Sequence, residues 1–146
     1  NPTFISEAAN TFGSQCIVCS VEAQCKNGEW WAYTDNGREP TGKKVVEWVQ
    51  EAERLGAGEI LITSVNREGT ETGYDIGLVK AVVSKVTVPV VASGGAGGAE
   101  DMVALYRSAK VEGISAASIL HYNKCDIATL KGALHATGVP MRISDA

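Results

Sequence analysis

Nowhere does this chain carry a run of lysine and arginine able to follow a nucleic-acid backbone. Its 13 basic residues are outnumbered by 17 acidic ones, for a net charge of −4, so no nucleic-acid partner is expected. No apolar run approaches the roughly 18 residues needed to cross a bilayer. The opening "NPTFISEAAN" has neither the charged start nor the apolar centre of a signal peptide. No membrane association is therefore expected, and the reading is cytoplasmic. Cysteine is sparse: Cys16, Cys19, Cys25 and Cys125 include one C-x-x-C. Cys16 and Cys19 lie at odd spacing in a strand-like run, so their side chains should point to opposite faces, which disfavours thiol chemistry and zinc. No metal and no cofactor are expected. An initiating methionine is also missing, as in material that is processed or cut from something longer.

What is present is ordinary globular composition, 45% hydrophobic and 21% charged over 146 residues, which suits a soluble single domain spanning 1–146. Short β-branched runs alternate with segments of helical period, the signature of βα units feeding a parallel sheet, so the fold class is α/β. The expected strands are Cys16 to Val21, Glu59 to Thr63, Val88 to Ala92 and Gly113 to Ala117. All are mostly apolar, as strands covered on both faces should be. The expected helices are Pro2 to Thr11, Lys43 to Leu55, Ile76 to Val83, Ala99 to Ala109 and Asp126 to Thr137. Asp126 is placed to cap the last of these and Gly138 to stop it.

One connection breaks the rhythm. Glu22 to Gly42 is about three times the length of a usual βα loop, and its "GEWWAYTDNGREP" contains Asn36-Gly37, a hairpin turn signal. A small β-ribbon after the first strand is expected. Trp30, Trp31 and Tyr33 could stack on a ligand, although packing of the ribbon is the more usual use of such bulk. The whole reads as a (β/α)₄ piece, half of a TIM barrel. Four parallel strands leave two open edges and an apolar inner face without cover, so a homo-oligomer formed through those edges, a dimer or tetramer, is expected.

Ligands in such architectures gather where the strands end. After the third expected strand comes "SGGAGGAED", Ser93 to Asp101, whose Gly94, Gly95, Gly97 and Gly98 let backbone N–H groups approach an oxyanion where a helix begins. Ser118 follows the fourth strand, and Gly69 and Gly73 bracket the polar loop after the second. Each loop taken alone could be a plain tight turn; at successive strand ends they favour a phosphate or bisphosphate ligand. Glu22, at the mouth of the first strand and facing a site for an anion, is a candidate general acid or base. A solvated loop residue, or an acid paired with Lys26, is the alternative.

The blocks "FGSQCIV", "NGEWWAYTDNGREPTG", "GAGEILITSVNREGTETGYD", "VPVVASGGAGG" and "AASILH" run in order over essentially the whole chain. In these blocks the sequence resembles the C-terminal half of HisF, the cyclase subunit family of imidazole glycerol phosphate synthase. The sister isomerase family HisA is the weaker match. The resemblance implies a half of a (β/α)₈ barrel from histidine biosynthesis. That enzyme family uses ammonia from a glutaminase partner of the HisH type to convert phosphoribulosyl-formimino-AICAR-phosphate into imidazole glycerol phosphate and AICAR. It implies phosphate contacts at Glu68, Gly69, Gly95, Ala117 and Ser118, cleft-lining roles for Thr63 and Ser93, and a charged ammonia gate at Glu59. The family's catalytic aspartate falls on Glu22, which is one methylene longer. "NREG", Asn66 to Gly69, departs from the usual Asp-Arg-Asp-Gly. With one half absent, a weak or inactive cyclase is implied, and a non-catalytic phosphate- or phosphosugar-binding oligomer is the alternative.

Overall fold

The computed structural model describes residues 1–142. The chain opens with α1 (Thr3–Phe12), followed by a single 3-10 turn over Ser14–Cys16 and β1 (Val18–Lys26). The antiparallel β2 (Glu29–Thr34) and β3 (Glu39–Lys44) come next, then α2 (Val45–Leu55) and β4 (Glu59–Ser64). The remainder is α3 (Ile76–Val83), β5 (Val90–Ser93), α4 (Ala99–Ala109), β6 (Gly113–Ile114), the one-turn α5 (Ser118–His121) and α6 (Ile127–Ala136). Six strands form one sheet in the order β3-β2-β1-β4-β5-β6. The strands β1, β4, β5 and β6 are parallel neighbours, and β2 and β3 are antiparallel additions at one edge. This is an α/β fold consistent with one half of a (β/α)₈ barrel carrying a ribbon.

The first strand differs from expectation at both ends. Cys16 is not in it, because Cys16 N–H donates to Gly13 O and Ile17 N–H to Ser14 O, which holds the chain in a turn. At the other end it runs on to Lys26. There Asn27 (φ 54°) and Gly28 (φ 81°) make a two-residue hairpin that pairs Lys26 with Glu29 and Glu22 with Tyr33. The expected turn at Asn36-Gly37 joins β2 to β3, with Asp35, Asn36 and Gly37 all at positive φ. Lys43 and Lys44 finish β3 instead of opening α2. The last parallel strand shrinks to Gly113–Ile114, and the residues after it turn into α5, which the sequence did not announce.

Cross-strand register sorts the side chains into two faces. Cys19, Ile60 and Val90 share one row and Val21, Ile62, Ala92 and Ile114 the next. This face is the buried one, packed under Val45, Val49 and Ala52 of α2, Leu78, Val79 and Val82 of α3, and Met102 and Leu105 of α4. The opposite face carries Val18 with Glu59, then Ser20, Leu61, Val91 and Gly113, then Glu22, Thr63 and Ser93. None of these is fully buried, and Val18 is 51% exposed. This chain's helices cover one face and leave the inner face of the half barrel bare, as four parallel strands without a second half imply; the apolar strands are covered where Cys19, Ile60 and their row neighbours meet the helices and not on the inner side.

The loop that leads into β5 is held by an acid. Glu53 Oε1 accepts from Thr87 N–H at 2.8 Å, Thr87 Oγ1 at 2.6 Å and Val88 N–H at 3.2 Å. The Thr87 hydroxyl, and after it the two amides, hold its carboxyl below the usual carboxylate range. A depressed folded-state pKa stabilises above the unfolded-state value and is lost as pH falls through the folded one. Urea titrations are accordingly expected to show stability falling as pH drops below about 4.3, the ordinary glutamate value, and Glu53→Gln is expected to flatten that acid limb.

Candidate functional site

The parallel part of the sheet ends where Ala23 pairs with Ser64 and Thr63 with Ser93. Glu22, Thr63 and Ser93 form a cross-strand row at that rim, on the bare face. Above it the loops after β4, β5 and β6 converge.

The loop after β4 folds back on itself: Arg67 and Glu68 N–H both donate to Ser64 O, at 3.1 and 3.0 Å. Arg67 Nη1 ties Thr72 O and Oγ1, at 3.3 and 3.0 Å. Asn66 Oδ1 accepts from Cys25 N–H at 2.7 Å, fastening this loop to β1. The loop after β5 must pass very close. A Cβ on Gly95 (φ 104°) would lie 2.2 Å from Gly73 O, and one on Gly94 (φ 92°) 2.8 Å from Ser64 O. Gly73 N–H in turn donates to Gly95 O at 2.8 Å. Tyr74 closes the arrangement from below, its buried hydroxyl donating to Ser115 O at 2.8 Å in the loop after β6. Burial, helped by the nearby Asp101 carboxylate, pushes this phenol well above its ordinary range, so it stays a protonated donor.

Between these loops lies a cleft of about 420 Å³. Glu68, Gly69, Ser93, Gly94, Gly95, Ala117 and Ser118 all line it. Among the described residues, the amides of Gly69, Gly95 and Ser118 donate to no protein acceptor. Each comes from a different loop, and together they leave three unspent N–H groups around one space, which is what an oxyanion needs. The start of α4 contributes less than its sequence promised. Gly97 N–H already donates to Asp101 Oδ2 at 2.8 Å, and Glu100 and Asp101 fill the first turn with the chain's own negative charge.

The remaining sequence-derived candidates lie outside the cleft lining. Thr63 sits beside Ser93 in the rim row. Glu59 begins β4, at the far end of the same bare face, next to Val18. Glu22 is half-buried, and its Oε2 accepts from Gly37 N–H at 2.8 Å, so the ribbon turn is tied to this carboxylate. Lys26 is not its partner; its Nζ stands 4.9 Å from the Tyr33 ring centre. Trp30 serves packing, donating Nε1–H to Asp75 Oδ2 at 3.0 Å and lying against Gly77. His121, Tyr122 and Ser115 also line the cleft, and the sequence reading passed over them. Ser118 and His121 stand three apart and share a face of α5, a helix that the sequence does not announce.

The sequence model for a family described as "Histidine biosynthesis protein" matches residues 1–126. The chain belongs to this family. It is 43% identical over 145 residues to the imidazole glycerol phosphate synthase subunit HisF of Dehalococcoides mccartyi strain BAV1, a match covering 99% of this chain and 57% of that protein. It is 42% identical over 144 residues to the same subunit of Streptococcus sanguinis strain SK36, covering 98% of this chain and 57% of the relative. The chain thus spans little more than half the length of the curated relatives it matches. As a half-length match to HisF within the histidine biosynthesis family, it carries the glycine-rich "SGGAGG" and the "AAS" blocks into one cleft. Among its described residues no helix is long and apolar enough to cross a membrane, and no cluster of histidine, cysteine, aspartate and glutamate side chains is arranged to hold a metal ion.

Proposed function

We propose that this chain supplies the C-terminal half of a HisF-type cyclase site: a cradle for one phosphate of a bisphosphate substrate and, in Glu22, one of the proton-transferring carboxylates. The observation that carries the reading is the meeting of unspent amides from three successive loops beside the Glu22, Thr63 and Ser93 rim. A bound phosphate would take its N–H donors from the loops, leaving the rest of the ligand to extend along the rim toward Glu22. The reaction would be the ammonia-dependent cyclisation and cleavage of phosphoribulosyl-formimino-AICAR-phosphate, with ammonia from a HisH-type glutaminase entering past Glu59.

The site needs a second half. The bare inner face, with Val18 and Leu61 in it, and an apolar groove of about 320 Å³ lined by Ile114, Leu130, Leu134 and Met141 beside β6 favour assembly into a dimer or tetramer. In a two-fold dimer each copy would bring one cradle, at opposite ends of a bisphosphate. A second reading is a phosphate-binding oligomer without turnover. It is favoured by the hydrogen bond that commits Glu22 to Gly37.

Light scattering and an ammonia-dependent turnover assay separate the two. A dimer or tetramer that consumes substrate only with ammonia is expected on the first reading, and the same oligomer binding phosphate without turnover on the second. A well-folded monomer would sink the assembly argument.

A further inference from the structure

Resting on the cradle reading above, we propose that His121 is the cationic partner of the phosphate in this cleft. Phosphate is a dianion or close to it near neutral pH, and an acidic residue, Glu68, is among those that line the cleft. Amides alone carry only partial charge, so a cradle for a dianion beside an acidic residue favours a compensating group. No lysine or arginine lines this cleft, and of the side chains that do, only His121 can carry positive charge. Lys124, close by in sequence, is committed to Glu71.

The geometry favours the same group. His121 N–H donates to Ala117 O at 2.9 Å, which sets the residue one helical turn beyond Ala117 and on the side of Ser118. Its ring stands edge-on to Tyr122, with centroids 4.9 Å apart and planes at 76°. That contact orients the imidazole, and neither ring nitrogen has a hydrogen-bond partner in the protein among the described residues. A ring so held presents two N–H donors to an anion when protonated. The side chain is exposed in the cleft wall, so its role is recognition of the ligand and not support of the fold.

The chain contains two histidines, His121 and His135, which makes the test clean. Inorganic phosphate is titrated into the folded chain while imidazole resonances are followed by NMR and affinity is measured by calorimetry. His121 resonances are expected to move with saturation and those of His135, on α6, to stay. His121→Ala is expected to weaken phosphate binding by about tenfold or more, and His121→Gln, which keeps an N–H but no charge, by less. If the wild-type chain binds no phosphate, the cradle reading fails and this role with it. If phosphate binds, His121→Ala leaves its affinity unchanged and the His121 resonances stay still, the cradle stands and His121 is not its cation.

Discussion

Glu22→Gln is expected to lower ammonia-dependent turnover by about 10²–10⁴-fold, the range a positioned general acid or base contributes, and to leave phosphate affinity and folding alone. The amide oxygen of glutamine still accepts the Gly37 N–H that Glu22 Oε2 takes at 2.8 Å. The ribbon turn therefore keeps its anchor, and only the proton is lost. Glu22→Asp separates position from charge. Aspartate is the residue the HisF resemblance implies at this point, and it is too short to hold the Gly37 amide in the same way. Turnover should be preserved or raised in this variant, because a carboxylate displaced by about 1 Å at a reacting centre can cost on the order of a hundredfold. Steady-state kinetics with saturating ammonia check both variants. Unchanged turnover in Glu22→Gln removes this residue from the chemistry and leaves it as an anchor for the ribbon.

Gly95→Ala is expected to abolish phosphate binding and to destabilise the chain by about 2–5 kcal/mol, the sum of a left-handed backbone penalty and the overpacking of a filled contact. The added methyl would stand 2.2 Å from Gly73 O, a backbone atom on the neighbouring loop. That oxygen cannot swing aside as a side chain would, since the N–H of Gly73 itself is tied to Gly95 O. Gly98→Ala is the matched control: nothing lies within 4 Å of its Cβ position. Its φ of 175° is extended backbone open to any residue. Urea melts and phosphate calorimetry on the two variants should differ sharply. Equal behaviour would mean that the close approach of the two loops does not build the cleft.

The α/β class, the order of elements and the ribbon were legible because periodicity and turn chemistry are local properties. Asp126 shows this well: an acid before an apolar helical pattern, it accepts from Thr129 N–H at 2.7 Å and caps α6. The extension of β1 is equally local but differs from expectation, because Asn27-Gly28 within the long connection from Glu22 to Gly42 is a hairpin turn of its own. That an inner face stays bare follows from the strand count, but which residues line it is not local. Leu61 and Val91 look as apolar as Ile60 and Val90, and which of each pair lies under a helix is decided by where the helices return. The cleft was legible through its glycines, whose roles follow from backbone approach. His121 was not, because its place depends on a one-turn helix formed only where β6 stops short.

The ribbon has a mechanical consequence for anything that adds to this edge of the sheet. β2 pairs with β1 only from Glu22 onward, which leaves Val18 to Val21 as the open stretch of that strand. A strand arriving there meets the ribbon as an end-stop and can slide no further toward the rim of Glu22, Thr63 and Ser93. Four residues of free edge give too little length for a ladder of shifted alternatives, so the ribbon works as a ruler for assembly. It also shortens the sticky margin along which unrelated chains could zip on, a protection that a bare half barrel would otherwise lack.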